Sequence, residues 1–229
     1  MPATVVILAG GDRPSDPVRR ALPTAALCIA ADSGLDHTYD LGLRPDVVVG
    51  DLDSVSPAIL DRATVDGVRV ERHPAAKAKT DLELALDRAM AERPERIVVA
   101  GIGGGRLDHH LANLLVLARD DYAGPAIDAY LGTARVAVVR HHTRLVEGRP
   151  GEPVTLLPMH GPASGVATTG LAYPLWGETL HPGSTRGVSN ELVTPTASVT
   201  VARGVVLAVQ PHGLNGVDRG GTGGGAADT

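Results

Sequence analysis

Four aspartates are the residues of this sequence whose placement points most directly to chemistry. Asp51 and Asp53 directly follow VVVG, a valine run typical of a buried strand, while Asp81 and Asp108 stand at the starts of two helical patterns. Like charges aimed at one point repel each other, so proteins leave them to solvent or supply a cation. Each acid alone also fits an ordinary turn or a helix cap, and the case for chemistry therefore depends on their joint placement.

The strands that would position these acids are short aliphatic runs in the first half of the chain. They are TVVILA at 4–9, ALCIAA at 26–31, DVVVG at 46–50 and RIVVAG at 96–101, with AIDAYL at 126–131 as a further candidate. Helix-like segments lie between some of them, and this alternation predicts a mostly parallel sheet covered by helices. The carboxyl ends of such strands face one edge, where ligands bind, so the acids are predicted to converge there.

Two helices are predicted to begin at the same edge. In TDLELALDRAM the apolar residues fall on one face, and Thr80 and Glu83 have the spacing of a capping box. LDHHLANLLVLARD has a 3.6-residue apolar period, formed by Leu107, Leu111, Leu114, Leu115 and Ala118. The positive ends of both helix dipoles would lie near the acids.

Glycines at the strand ends favour phosphate binding. Gly10 and Gly11 follow the first strand, and GIGGGRLD follows the fourth. Glycine lets a backbone approach a phosphate closely, and Arg106 in such a turn can contact phosphate oxygens in a bidentate manner. The acids would repel a polyphosphate unless a hard divalent cation lay between them, which predicts Mg²⁺ held by Asp51 and Asp53. Two common nucleotide-binding signatures are absent. The sequence contains no G-x-x-x-x-G-K-[ST] motif, and in GIGGGR Arg106 stands where G-x-G-x-x-G has its last glycine.

The overall charge and composition narrow the class of partner. A formal net charge of −5, with dispersed Lys and Arg, argues against nucleic acid or an anionic membrane as a partner. No apolar run approaches the ~20 residues that a membrane span needs, and no export signal is recognised. The single cysteine, Cys28, fits an inert buried thiol. We therefore predict a cytoplasmic protein whose partner is a small ligand or another protein.

The second half of the chain has a different pattern. After about residue 135, the strand candidates ARVAVVR, PVTLLPM, ASVTVA and VVLAVQ are separated by Gly and Pro turns. This predicts an α/β N-terminal domain with a mostly parallel sheet, followed by a small all-β, sandwich-like C-terminal domain. The proposed division is 1–137 for the nucleotide- and metal-binding domain, 138–215 for the β-sandwich, and 216–229 for a disordered glycine-rich tail.

Several motifs resemble, in order and spacing, those of the thiamine pyrophosphokinase family. They are AADSGLD at 30–36, LGLRPD at 41–46, GDLDS at 50–54, KTDLELAL at 79–86, GGRLDHHLAN at 104–113, TGLAYPL at 169–175 and VSNEL at 188–192. The resemblance spans roughly residues 5–210. It implies a homodimer that uses ATP and Mg²⁺ to convert thiamine to thiamine diphosphate, with AMP as the other product and thiamine reaching the site across the dimer interface.

The resemblance also implies roles for individual residues. It assigns Asp51, Asp53 and Asp81 to Mg²⁺, and Asp108 to the metal or the thiamine hydroxyl. Nucleotide contacts are implied for Asp32, Ser54, Thr80, Arg106 and His109. On the thiamine side it implies Ser189 and Asn190, together with Tyr173, which packs either on the vitamin or in the core of the β-domain.

One position departs from the family pattern. Between Lys77 and Lys79 the family usually carries an acid, and this chain has Ala78. We expect this difference to affect Mg²⁺ affinity and turnover rather than the fold.

Two further functions are also compatible with the sequence. A metal-dependent hydrolase of nucleotide or thiamine phosphates would use the same acids to activate water, and a non-catalytic sensor would bind thiamine and nucleotide without turnover.

Overall fold

The computed structural model describes residues 3–215 of the chain. The glycine-rich tail predicted at 216–229 lies outside the described residues. In the first half, strands and helices alternate in the order β1 Thr4–Leu8, α1 Asp16–Ala21, β2 Leu27–Ala31, α2 Gly34–Asp40, β3 Val47–Gly50, α3 Pro57–Val65, β4 Arg69–Arg72, α4 Asp81–Ala91, β5 Arg96–Ala100, α5 Leu107–Leu117 and β6 Ala126–Leu131. Each of the five predicted strands is present, with ends that differ by at most one residue.

The first six strands form a parallel sheet in the order β4-β3-β2-β1-β5-β6. After β1 the chain moves outward on one side as far as β4, and it then returns to the other side of β1 to form β5. This reversal makes the carboxyl ends of β1 and β5 a topological switch point, where open α/β sheets bind ligands. The sequence did not predict β4, whose residues RVER lack the apolar character of a buried strand and lie at the sheet edge.

The second half is antiparallel and rich in strands. Its elements are β7 Ala134–Arg140, β8 Thr143–Glu147, β9 Pro153–Thr169, β10 Trp176–Leu180, β11 Asn190–Glu191, β12 Thr196–Thr200 and β13 Arg203–Gln210. The prediction of an α/β part followed by an all-β part is confirmed. A β6–β7 hairpin continues the sheet from one part into the other. Residue 137 lies within β7, and the division of the chain into domains at this residue stays a prediction.

Alternate residues of β7 belong to two different hydrophobic cores. Val136 and Val138 join the core beneath α4, whereas Ala137 and Val139 join the core of the antiparallel part. Strand β13 does the same with Val205 and Leu207 on one side and Val206 and Ala208 on the other. Because successive side chains of a strand point to opposite faces, these two strands are shared by both halves of the protein.

A buried ionic cluster also connects the two halves. Asp128 on β6 is 1% exposed, and its Oδ2 accepts hydrogen bonds from Arg96 Nε at 3.1 Å and Nη2 at 2.9 Å. Its Oδ1 accepts from Arg144 Nη2 at 2.8 Å and Arg135 Nη2 at 3.4 Å. One carboxylate therefore holds three guanidinium groups, which come from β5, β7 and β8.

Fewer apolar residues of helix α5 are buried than its apolar period predicted. Leu117 and Ala118 are buried, but Leu107, Leu111 and Leu115 are 70%, 53% and 45% exposed. These three leucines recur every four residues and form one exposed stripe along the helix. We refer to them below as the α5 leucine stripe.

Two smaller predictions also have an outcome. Cys28 is buried, and burial, followed by the nearby charge of Asp46, raises the pKa of its thiol to about 12, which agrees with an inert thiol. Among residues 3–215, no helix combines the length and the apolar character needed to cross a membrane.

Candidate active site

A cleft of about 660 Å³ opens at the switch point of the parallel sheet. It is lined by residues that follow four different strands, including Gly10 and Gly11 after β1, Asp32 after β2, Asp51 and Asp53 after β3, and the loop 101–106 after β5. The predicted convergence of acids and glycines at one sheet edge is therefore present. The convergence follows from the parallel pairing of β2 and β3. Ala31 lies opposite Val49, so the residues that follow these two leave the sheet at the same edge.

The two glycine-rich loops of the cleft pack against each other. Gly11 N donates to Gly101 O at 2.7 Å, and Asp12 N donates to Gly103 O at 2.7 Å. A Cβ atom on Gly11 would collide with both of these carbonyl oxygens, so that position has room only for glycine. Close contact between the loops thus accounts for Gly11, while Gly105 has open space around it.

Three carboxylates meet in this cleft at the spacing of a cation site. Asp32, Asp51 and Asp53 each offer an oxygen, and these oxygens lie within 4.8 Å of one another. Asp32 was expected to contact nucleotide, and the fold places it beside Asp51 and Asp53, two of the three predicted metal ligands. Its Oδ1 is buried and accepts no hydrogen bond from the described residues. Such a group needs a partner, and a divalent cation with its oxygen preference would supply one.

The electrostatics of Asp32 agree with this arrangement. Burial is the largest influence and raises the pKa of Asp32, while the backbone N–H of Ser33 opposes the rise. The negative charges of Asp81, Asp51 and Asp53 raise the pKa further. A cation between these groups would relieve both the desolvation and the repulsion.

Asp81 lies next to this trio but is held by a lysine. Lys77 Nζ lies 2.9 Å from Asp81 Oδ1 and donates to Asp51 Oδ2 at 3.0 Å. The hydrogen bond from Lys77 is the main reason that the pKa of Asp51 is lowered. Burial alone would lower the pKa of Lys77, but the two carboxylates together raise it. The ammonium group is therefore a charge partner shared by two of the predicted metal ligands.

Thr80 caps helix α4 at the rim of the cleft. Its Oγ1 accepts from Glu83 N at 3.3 Å, which forms half of the predicted capping box. The Glu83 carboxylate instead accepts from Arg119 Nη1 at 2.6 Å and does not return to Thr80. Ser54, which was expected to contact nucleotide, also lines the cleft and donates to Asp53 Oδ1 at 2.9 Å.

The start of α5 contributes an arginine and two histidines to the cleft. Arg106 and His109 line it, as expected for nucleotide contacts, and His110 and Asn113 join them. Asp108 does not line it: its side chain is 64% exposed and pairs with Arg106 at 2.6 Å. The hydrogen bond from Arg106 is the main cause that lowers the pKa of Asp108 to about 2. Asn113 was not predicted, although its place one helical turn after His109 could have indicated it.

The expected thiamine residues do not line the cleft of this chain. Asn190 is 3% exposed, and its amide braces a loop: Oδ1 accepts from Tyr173 N at 2.9 Å and Nδ2 donates to Tyr173 O at 2.7 Å. Ser189 is exposed and has a positive φ of 57°. Tyr173 is 60% exposed, so its ring does not fill the core of the antiparallel part. Ser189 and Tyr173 therefore lie on an outward surface of the second half, and the buried Asn190 supports the Tyr173 loop from beneath.

Two family models match the chain on either side of β7. Residues 18–127 match the model described as thiamin pyrophosphokinase, catalytic domain, and residues 141–206 match thiamin pyrophosphokinase, vitamin B1 binding domain. The chain belongs to the thiamine pyrophosphokinase family. Apart from residues 9–12, the cleft at the carboxyl edge is lined by residues of the first matched region, and Ser189, Asn190 and Tyr173 lie in the second.

Relatives in the thiamine pyrophosphokinase family match over nearly the whole chain. Thiamine pyrophosphokinase from Bacillus subtilis is 28% identical over 218 residues, which cover 90% of this chain and 98% of the relative. Its crystal structure superposes with a TM-score of 0.79 at 26% identity, again over 90% and 98% of the two chains. The thiamin pyrophosphokinase structure from Geobacillus thermodenitrificans gives a TM-score of 0.77 at 26% identity, over 90% and 96%.

Proposed function

We propose that this protein transfers the diphosphoryl group of ATP to the hydroxyl of thiamine, giving thiamine diphosphate and AMP. The observation that carries the proposal is the carboxylate trio at the switch-point cleft, in a chain of this family. The hydroxyl oxygen forms a bond to the β-phosphorus, the bond from that phosphorus to the α-phosphate oxygen breaks, and the hydroxyl proton is released. This chemistry needs positioning and charge neutralisation rather than a covalent nucleophile.

Mg²⁺ is the metal that we propose for the acidic part of the cleft. Asp51, Asp53 and Asp81 would hold it, and Asp32 lies within reach through its unpartnered Oδ1. When bound, the ion would neutralise charge on the transferring phosphates. Asp51 and Asp53 would hold the ion close to the end of β3, because both residues lie in the loop that directly follows this buried strand.

The remaining cleft residues would position the nucleotide and the attacking hydroxyl. Thr80 and Ser54 present hydroxyls at the rim, and Arg106 and His109 present donors for phosphate oxygens. Arg106 already binds a carboxylate in a bidentate manner through Asp108, which is the geometry that it would use for phosphate. Release of Arg106 to the nucleotide would free Asp108 to accept a hydrogen bond from the thiamine hydroxyl.

Thiamine would be held between two copies of the chain. Ser189, Asn190 and Tyr173 do not line the cleft of their own chain, so we propose that a homodimer brings the same surface of a second copy to it. The α5 leucine stripe begins beside Arg106 and offers an apolar face for that contact. Asn190 would act by holding the Tyr173 loop, and Ser189 and the Tyr173 ring would face the vitamin.

We also propose that the reaction takes place in the cytoplasm, the compartment predicted from the sequence.

Replacing Leu111 by Glu is expected to convert the proposed dimer to a monomer. Turnover is expected to fall as the dimer is lost. A charge in the middle of the stripe would have to be buried without a partner at the interface. Sedimentation velocity at several protein concentrations measures the change. Leu145→Glu is the matched control, because Leu145 is 58% exposed on β8, outside the stripe, and should leave the dimer intact. A Leu111→Glu protein that sediments like the unchanged chain would contradict the placement of the interface.

A product analysis tests the proposed reaction. The protein is incubated with ATP, Mg²⁺ and thiamine, and the products are separated by chromatography. We expect AMP and thiamine diphosphate to rise together in equal amounts. ADP or free phosphate in their place would favour monophosphoryl transfer or hydrolysis, and binding of thiamine without turnover would favour the sensor.

A further inference from the structure

Lys77 occupies the position between two carboxylates that the proposed metal would also use. Its Nζ lies 3.0 Å from Asp51 Oδ2 and 2.9 Å from Asp81 Oδ1. The lysine side chain is only 14% exposed, and those of Asp51 and Asp81 are 18% and 30% exposed. Because these side chains are partly shielded, water weakens their attraction less than it weakens that of a fully exposed ion pair.

The ammonium group of Lys77 and the proposed divalent cation would compete for these two carboxylates. Both carry positive charge and repel each other, and Lys77 already contacts Asp51 Oδ2 and Asp81 Oδ1, which belong to two of the proposed metal ligands. Without a cation, however, four aspartates would face one another across the cleft, since Asp32 and Asp53 adjoin the pair. The free protein therefore needs a positive charge at this place, and the bound state needs that charge to leave.

We propose that Lys77 is a tethered counter-ion that neutralises Asp51 and Asp81 in the free protein and swings out when the divalent cation binds. Metal binding and release of the Lys77 ammonium are then one coupled event. The inference rests on the metal site of the proposed function and goes beyond it by giving Lys77 a role in controlling metal affinity. The side chain is long enough to leave the pair while its backbone stays in place, because four rotatable bonds separate the ammonium from the main chain.

The chain offers a matched comparison for this lysine. Lys77 and Lys79 are the only lysines in the sequence. Both line the cleft, but Lys79 pairs with Asp87 at 2.5 Å and lies 3.9 Å from Glu83 instead of contacting the metal ligands. Amine-selective chemistry therefore reports on these two side chains, and the α-amino group can be distinguished by its position in the peptide map.

Amine labelling of the unaltered protein measures the release directly. The protein is treated briefly with acetic anhydride, with and without Mg²⁺, and acetylation at each lysine is quantified by mass spectrometry. We expect acetylation of Lys77 to rise several-fold with Mg²⁺, because the ammonium leaves its shielded pair, while that of Lys79 stays the same. Mn²⁺ binding, followed by the electron paramagnetic resonance of the free ion, establishes that the site takes a cation. Binding of Mn²⁺ with no change at Lys77 would overturn the inference and leave the metal site standing, whereas no binding would overturn the metal site itself.

Replacing Lys77 by Met supplies a second, independent measurement. Met keeps much of the length and removes the charge, so Mn²⁺ no longer competes with an ammonium group. We expect Mn²⁺ to bind at least about tenfold more tightly to Lys77→Met than to the unaltered protein. Lys79→Met removes the same charge from the same cleft and should change the affinity much less. Equal or weaker binding to Lys77→Met would show that Lys77 assists the cation rather than yielding to it, and would overturn the proposal.

Discussion

Replacing Asp81 by Asn is expected to lower the turnover of thiamine on the order of a thousandfold, the scale seen when one charge-stabilising group is removed from an active site. Asn keeps the shape of the side chain but removes the charge that is directed at the metal. Little stability should be lost, because the change also removes the negative charge of Asp81 that acts on Asp32, and Lys77 keeps Asp51 as a partner. Chromatographic measurement of AMP and thiamine diphosphate gives kcat, and thermal unfolding gives stability.

Asp61 provides the control for this substitution. It is an exposed aspartate on α3 and does not line the cleft, so Asp61→Asn should keep full turnover. Undiminished turnover of the Asp81→Asn protein would remove Asp81 from the set of metal ligands. A large drop in its unfolding temperature would instead indicate that its ion pair with Lys77 is needed for folding.

Replacing Asp128 by Asn is expected to destabilise the folded protein by about 3–5 kcal/mol, the usual cost of removing one partner from a buried ion pair. The change leaves Arg96, Arg135 and Arg144 facing one another without the carboxylate that they share. Asn can accept a hydrogen bond but cannot balance three positive charges. Urea unfolding, followed by circular dichroism, measures the free energy of unfolding for both proteins.

An exposed ion pair of the same kind serves as the comparison. Glu178 binds Arg186 in a bidentate manner at 3.0 and 2.9 Å, but the two side chains are 36% and 44% exposed to water. Glu178→Gln should therefore cost less than about 1 kcal/mol. Similar losses for the two variants would mean that the buried cluster contributes no more than a surface pair.

The sequence predicted well those features that depend on local pattern. Aliphatic runs identified five of the six strands of the first half, and the positions of Asp51 and Asp53 just after a buried run identified their edge of the sheet. Topology alone brings the strand ends together, so this inference needed no side-chain detail. The helix cap at Thr80 was also predictable, because its hydroxyl accepts a hydrogen bond from Glu83 N in the first turn of the same helix.

Features that depend on tertiary pairing were not predictable in the same way. Asp32 joins Asp51 and Asp53 only because β2 lies beside β3, a neighbour relation that the sequence does not encode locally. The distant partner Arg119 draws Glu83 away from the capping box. The period of α5 was read correctly, but periodicity cannot indicate that Leu107, Leu111 and Leu115 face outward rather than into the core.

The shared strands β7 and β13 limit how this protein can be recombined with its relatives. Each strand presents one set of side chains to the core beneath α4 and the alternate set to the antiparallel core. A chimera joined at residue 137 would change the packing of both cores at once, because volume mismatches on either face of a strand are poorly tolerated. A junction in the turn at 141–142, after β7 ends at Arg140, would keep that strand whole but would still exchange β13. Successful chimeras therefore require β7 and β13 to be inherited from the same parent.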